Sequence, residues 1–158
     1  MRHIPTKLLP VLLLAPTASL AQEVPEQRLP ISEFKWSTPG GGSAMVPGQQ
    51  TVFVVGDGKS RSLFSLVFKV PANAKIPPHS HPEERSCFVL SGQWLFGYGS
   101  ERREDRLVAL PPGSSYTEPA GTVHFAGTGP VETIVQCTGV GPTDTKFVRQ
   151  SDDPRDRR

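Results

Sequence analysis

Turn-forming residues cut this chain into short pieces. Of its 158 residues, 17 are proline and 15 are glycine. Proline removes an amide donor and glycine raises the entropic cost of ordering, so clusters of them end helices and strands alike. Between the clusters, short runs rich in Val, Phe, Ile and Leu recur, and helical periodicity is almost absent after residue 21. Strands are predicted over Thr51 to Val55, Leu63 to Val70, Ser86 to Leu90, Trp94 to Tyr98, Leu107 to Leu110, Ser115 to Glu118, Val123 to Ala126 and Val131 to Cys137. Turns fall at Gly56-Asp57-Gly58, Ser91-Gly92, Pro111-Pro112-Gly113, Ala120-Gly121 and Gly127-Thr128-Gly129-Pro130. Short strands with frequent turns predict an all-β sandwich or barrel.

The two ends read differently. Residues 1–21 carry basic Arg2 and Lys7, an apolar stretch from Leu8 to Leu20, and small residues at Ser19 and Ala21. We expect a secretory signal peptide cleaved after Ala21, leaving an exported, periplasmic or secreted protein with no membrane segment. Without Arg2 and Lys7, the 17 basic residues fall to 15, against 15 acidic ones. The remaining positive charge is mixed with acids, as in the run Glu101 to Arg106, which excludes a nucleic-acid footprint. Residues 22–50 are rich in Pro and Gly, with Ile31 to Trp36 as the piece expected to order against the outside of the barrel or a partner subunit. The barrel itself is expected over 51–149. Residues 151–158 contain no apolar side chain, and a disordered tail is expected from 150.

Four histidines are present, and His3 falls in the leader. The other three are His79 and His81, two apart in Pro78-His79-Ser80-His81-Pro82, and His124. Imidazoles at i and i+2 of a strand project from one face, so both can reach one ion. Neutral imidazole is also a common ligand of transition metals.

The spacings around these histidines resemble the two motifs of the cupin superfamily. In the first, G-x5-H-x-H-x3(or 4)-E-x6-G, Asn73 takes the opening glycine position, His79 and His81 match, and Gly92 closes. In the second, G-x5-P-x-G-x2-H-x3-N, Gly113, Pro119, Gly121 and His124 match, and Thr128 replaces the final asparagine. The resemblance spans roughly Leu63 to Val140. It implies a double-stranded β-helix, or jelly roll, with a divalent transition metal (iron, manganese, nickel, copper or zinc) in the barrel mouth. A homodimer is also implied. In the implied strand order, the strands carrying Cys87 and Cys137 are neighbours, and export favours their oxidation to a disulfide.

One position departs from the pattern. Arg85 stands where the family places its metal-binding glutamate, and a guanidinium has no lone pair to offer. In an unbroken strand Glu83 would share the face of His79 and His81, whereas Glu84 would need a bulge to reach it. We expect a bulge at Pro82 that turns Glu84 inward as a fourth ligand and pushes Arg85 to the outer face. The alternatives are Glu83 as ligand, or three histidines alone. If the strand stays regular, Arg85 faces the cavity and must pair there with Glu118, another carboxylate or an anionic substrate.

Tyr116 and Glu118 alternate on one predicted strand and are the candidate catalytic proton donor and base. Phe88, Trp94, Phe96 and Phe125 are expected in the core. Three imidazoles leave coordination positions open, which suits a metal-dependent enzyme of dioxygenase type acting on a small molecule. A non-catalytic metal or small-molecule binding or sensor module is the other class this sequence permits.

Overall fold

The computed structural model describes residues 24–39 and 45–157, so the expected signal peptide lies outside the described residues. The described residues form ten strands: β1 (Gln50–Val55), β2 (Leu63–Val70), β3 (Lys75–Ser80), β4 (Arg85–Ser91), β5 (Trp94–Tyr98), β6 (Val108–Leu110), β7 (Ser115–Glu118), β8 (His124–Thr128), β9 (Thr133–Val140) and β10 (Lys146–Phe147). They pair antiparallel in two five-stranded sheets, ordered β1-β2-β9-β4-β7 and β10-β3-β8-β5-β6. The architecture is a jelly roll. Alternate residues of each strand point inward, and Phe64, Phe68, Ile76, Val89, Trp94, Phe96 and Val135 pack between the sheets.

The motif positions hold the turns. Asn73, in the place of a glycine, has φ of 56°, a left-handed conformation that asparagine tolerates better than most residues. Gly92 has φ of 78°, and a Cβ there would stand 2.5 Å from both Glu132 O and Thr133 Oγ1. Thr128 substitutes chemically for the expected asparagine. Its hydroxyl donates to Pro71 O at 2.6 Å and accepts from Ala74 N at 2.9 Å, tying the turn at Asn73 to the end of β8.

Strand β3 was not predicted because two of its residues, Pro77 and Pro78, cannot donate to a ladder. The sheet accommodates them with a register shift between Ile76 and His79, after which His79 stands opposite His124. The irregularity therefore aligns two of the three histidines. β10 is only two residues long and pairs with Ser80 and His79.

Two expectations need correction here. Phe88 is not core: it points outward from β4 and is 49% exposed, whereas Trp94, Phe96 and Phe125 are buried. The C-terminal segment is not disordered either, since Gln150–Asp152 and Pro154–Arg157 form 3-10 turns. Polar bonds replace the missing apolar anchors. Arg155 donates to the buried Asp153 carboxylate, to Asp144 Oδ1 at 3.0 Å and to Thr145 O at 2.8 Å. At the other end, Ile31–Glu33 forms a 3-10 turn and Ser37 bonds Thr51, while Lys69 lies over the Trp36 ring. This segment packs along the outside of β1 and β2. Among the described residues no helix is long and apolar enough to cross a membrane.

Cys87 and Cys137 face each other in the β4–β9 ladder and form the expected disulfide. They are 50 residues apart, so chain-entropy reasoning assigns the bridge about 4 kcal/mol of stability. Denatured, unreduced protein should show no titratable thiol, and reduction should lower unfolding stability by about that amount. Two free thiols before reduction would contradict the pairing.

Candidate metal centre

Burial alternates without a break from β3 into β4. His79, His81, Glu83, Arg85, Cys87 and Val89 are buried, while Pro82, Glu84, Ser86, Phe88 and Leu90 are exposed. The chain changes sheets between Ser80 and Arg85, yet its side chains keep the two-residue period of a strand. Pro82 simply takes an outward position, where its missing amide proton costs nothing. The expected bulge does not form. Glu84 consequently points to solvent and cannot be a fourth ligand to the histidines, while Arg85 faces the interior.

The three histidines converge. His79–His124 ring centroids lie 4.4 Å apart, His79–His81 5.0 Å and His81–His124 5.2 Å. One nitrogen of each ring is held by a backbone carbonyl: His79 Nδ1 to Pro77 O at 2.8 Å, His81 Nδ1 to Asp144 O at 2.7 Å, and His124 Nδ1 to Thr122 O at 3.0 Å. A carbonyl can only accept, so Nδ1 carries the proton and Nε2 keeps its lone pair in each neutral ring. Burial holds all three rings neutral, lowering His79 to about 3 and His124 to about 4, and lowering His81 further with help from Arg85. One ligand atom from each lies within 4.8 Å of the others, and the buried His124 Nε2 has no hydrogen-bond partner. Three converging Nε2 lone pairs, that of His124 without a partner, could hold a transition ion.

The acids and the arginine complete the floor. Glu118 reaches His81 Nε2 at 3.5 Å and His124 Nε2 at 3.6 Å. Its burial raises the carboxyl to about 7 despite the nearby Arg85. Arg85 is clamped: Nε donates to Glu83 Oε1 at 2.6 Å, Nη2 to Thr143 Oγ1 at 2.5 Å, and Nη1 to His81 Nε2 at 3.0 Å. Nη1 also lies 3.5 Å from Glu118 Oε2. The regular-strand alternative required Arg85 to pair inside with Glu118, another carboxylate or an anion, and Glu83 is the carboxylate it bonds, with Glu118 nearby. Tyr116 shares the inward face but sits deeper, beside Phe96 and Trp94 with its hydroxyl 3.8 Å from Cys137 Sγ. The structure thus brings Glu118 to the histidines and leaves Tyr116 in the core. The sulfurs of Cys87 and Cys137 also approach Glu118, but the disulfide leaves no thiolate to ligate.

Above this floor opens a cavity of about 270 Å³ with apolar walls that include Phe53, Leu66, Phe68, Ile76 and Trp94. The loop Thr143-Asp144-Thr145 borders it and was not singled out in the sequence. It binds Arg85, His81 and Arg155 in succession, through backbone atoms as well as side chains, so residue type gave little signal.

Glu84→Gln should leave unfolding stability within about 0.5 kcal/mol of wild type, as expected for a solvated acid. Glu83→Gln leaves the buried guanidinium short of its partner and should cost about 3 kcal/mol. Denaturant unfolding of the two variants checks this; the reverse order would restore the bulge.

A family model described as a cupin domain matches residues 66–136, which contain every floor residue named above except Thr143. Among solved structures, the polyketide cyclase RemF from Streptomyces resistomycificus superposes with a TM-score of 0.63 at 23% identity, over 82% of this chain and 89% of that one. The DMSP lyase DddQ from Ruegeria pomeroyi gives 0.57 at 22% identity, over 73% and 61%. An RmlC-like cupin from Shewanella frigidimarina gives 0.55 at 15%, over 75% and 94%. At these identities the likeness establishes the fold and not the activity. No curated protein matches the sequence significantly. With both motifs occupying their structural places and the family model matching the segment that bears the three histidines, residues 66–136 form a cupin domain.

Proposed function

We propose that this chain is a metal-dependent enzyme acting on a small molecule in an exported compartment. The convergence of three carbonyl-anchored imidazoles on one end of a largely apolar cavity carries the proposal. A catalytic metal site needs ligands on one side and an open position on the other. His79, His81 and His124 would hold the ion, and the cavity lies beyond them. A bound iron, manganese, nickel, copper or zinc ion would supply Lewis acidity there or, where redox-active, activate dioxygen, and oxygenase chemistry is the form we propose.

The remaining tasks fall to the chain's own residues. Glu118, with its carboxyl raised to about 7, is suited to take a proton from a substrate bound beside the histidines and return it. The apolar walls exclude water and strengthen each polar contact at the floor. Thr143 and Glu83 fix the plane of Arg85, which then cannot wander into the cavity. The Cys87–Cys137 bridge supports export, because disulfides persist in oxidising compartments. That a cyclase and a lyase use this fold supports small-molecule turnover.

One observation favours the alternative, a binding or sensor module without catalysis. Arg85 Nη1 occupies the lone pair of His81 that an ion would need. Oxygen uptake by metal-loaded protein across diketones, phenols, thiols and flavonols separates the two. We expect turnover with at least one class, and Glu118→Gln should lower it about 100-fold while metal content stays the same. Tight retention of one unreacted compound with no turnover would favour the binding module, and full activity in Glu118→Gln would remove the carboxyl from the mechanism.

A further inference from the structure

The cavity floor has an unbalanced charge once it holds a metal. Its imidazoles are neutral, and Arg85 and Glu83 cancel as a pair 2.6 Å apart. Glu118 adds either nothing or a single negative charge. A divalent ion at the histidines therefore leaves a surplus of one or two positive charges, in a buried place with apolar walls. Such a surplus is costly in low dielectric unless a ligand brings negative charge.

Arg85 marks where that charge would sit. Two arms of its guanidinium are committed to Glu83 and Thr143, and only Nη1 points toward the histidines. Its acceptor there is His81 Nε2, whose lone pair an ion would take. Nη1 would then face the cavity with Glu118 Oε2, at 3.5 Å, as its remaining polar neighbour. An anionic oxygen beside the ion satisfies the bare N–H and the charge surplus together.

We propose that Arg85 is a specificity-determining residue for a small anionic substrate, a carboxylate or enolate on an apolar body, whose charged end lies between the guanidinium and the histidine cluster. The proposal rests on the histidines being a metal site. A volume of about 270 Å³ limits the body to roughly a single ring, and Phe68 and Trp94 are among the aromatic side chains that line it. The mouth does not select charge, because Asp57, Asp144 and Asp153 mix there with Lys59 and Arg155. Selection belongs to the floor.

Full-length mature protein is loaded with zinc, its zinc content measured, and benzoate and its neutral isostere benzamide titrated calorimetrically. Wild type should bind benzoate at least about tenfold more tightly than benzamide, the scale of one charge-assisted hydrogen bond. Arg85→Gln should lose that preference with benzamide affinity and zinc content unchanged. Should Arg85→Gln fail to fold, the double variant Arg85→Gln/Glu83→Gln, which leaves no orphaned buried charge, is titrated instead with the same expectation. Zinc bound without a benzoate preference in wild type, or with the preference intact in the variant, overturns this proposal alone. No zinc bound overturns the metal site and this proposal with it, and that is seen before any ligand is added.

Discussion

Burying a guanidinium costs several kcal/mol unless its donors and its charge are answered, and the interior of this barrel is built around that demand. Arg85 and the Glu83, His81 and Glu118 side chains around it are all buried. Glu83 supplies its counter-charge, Thr143 an oxygen that bonds both Glu83 and Arg85, and His81 a lone pair. Thr143 begins the loop whose next residue, Asp144, fixes the tautomer of His81 through its carbonyl and anchors Arg155 through its carboxylate. One cation thus links His81, just past the end of β3, to the loop and the C-terminal turns at the cavity mouth.

The arrangement also explains how a cupin site can do without its usual glutamate position. The residue at that point keeps its inward direction, because the two-residue period runs unbroken from His79 to Val89, but it brings a positive charge. Acids enter the floor from other places. Glu83 comes from two residues earlier on the same face, and Glu118 comes from β7, which pairs with β4 so that Arg85 and Glu118 stand opposite each other. The net result is a carboxyl beside the histidines without a carboxylate at the family's position.

Much of this was legible in the sequence, for reasons that lie in particular residues. Asn73, Gly92, Gly113 and Gly121 all adopt positive φ, so the spacings that suggested the family are the spacings of its turns. The i, i+2 histidines and His124 met because strand alternation is a local rule, and Cys87 met Cys137 because the implied strand order was correct. The failures came where a local signal competed with that rule. Pro82 suggested a bulge, yet an outward proline needs none, and alternation carried Arg85 inward. Pro77 and Pro78 hid a strand whose irregular register only its partner β8 could define. The polar C-terminus looked disordered because composition does not show that Arg155 has Asp144, Thr145 and Asp153 within reach.

Whether the histidines or the arginine command the floor is the central question, since both claim His81 Nε2. Metal analysis combined with X-ray absorption on protein purified from its native compartment addresses it directly. The account predicts one transition ion per chain with about three nitrogen ligands at roughly 2.0–2.1 Å, the usual imidazole distance for an ion such as zinc. Protein that purifies without metal, and that takes up none when ions are supplied, would show that Arg85 keeps the lone pair and would contradict the metal-centred account.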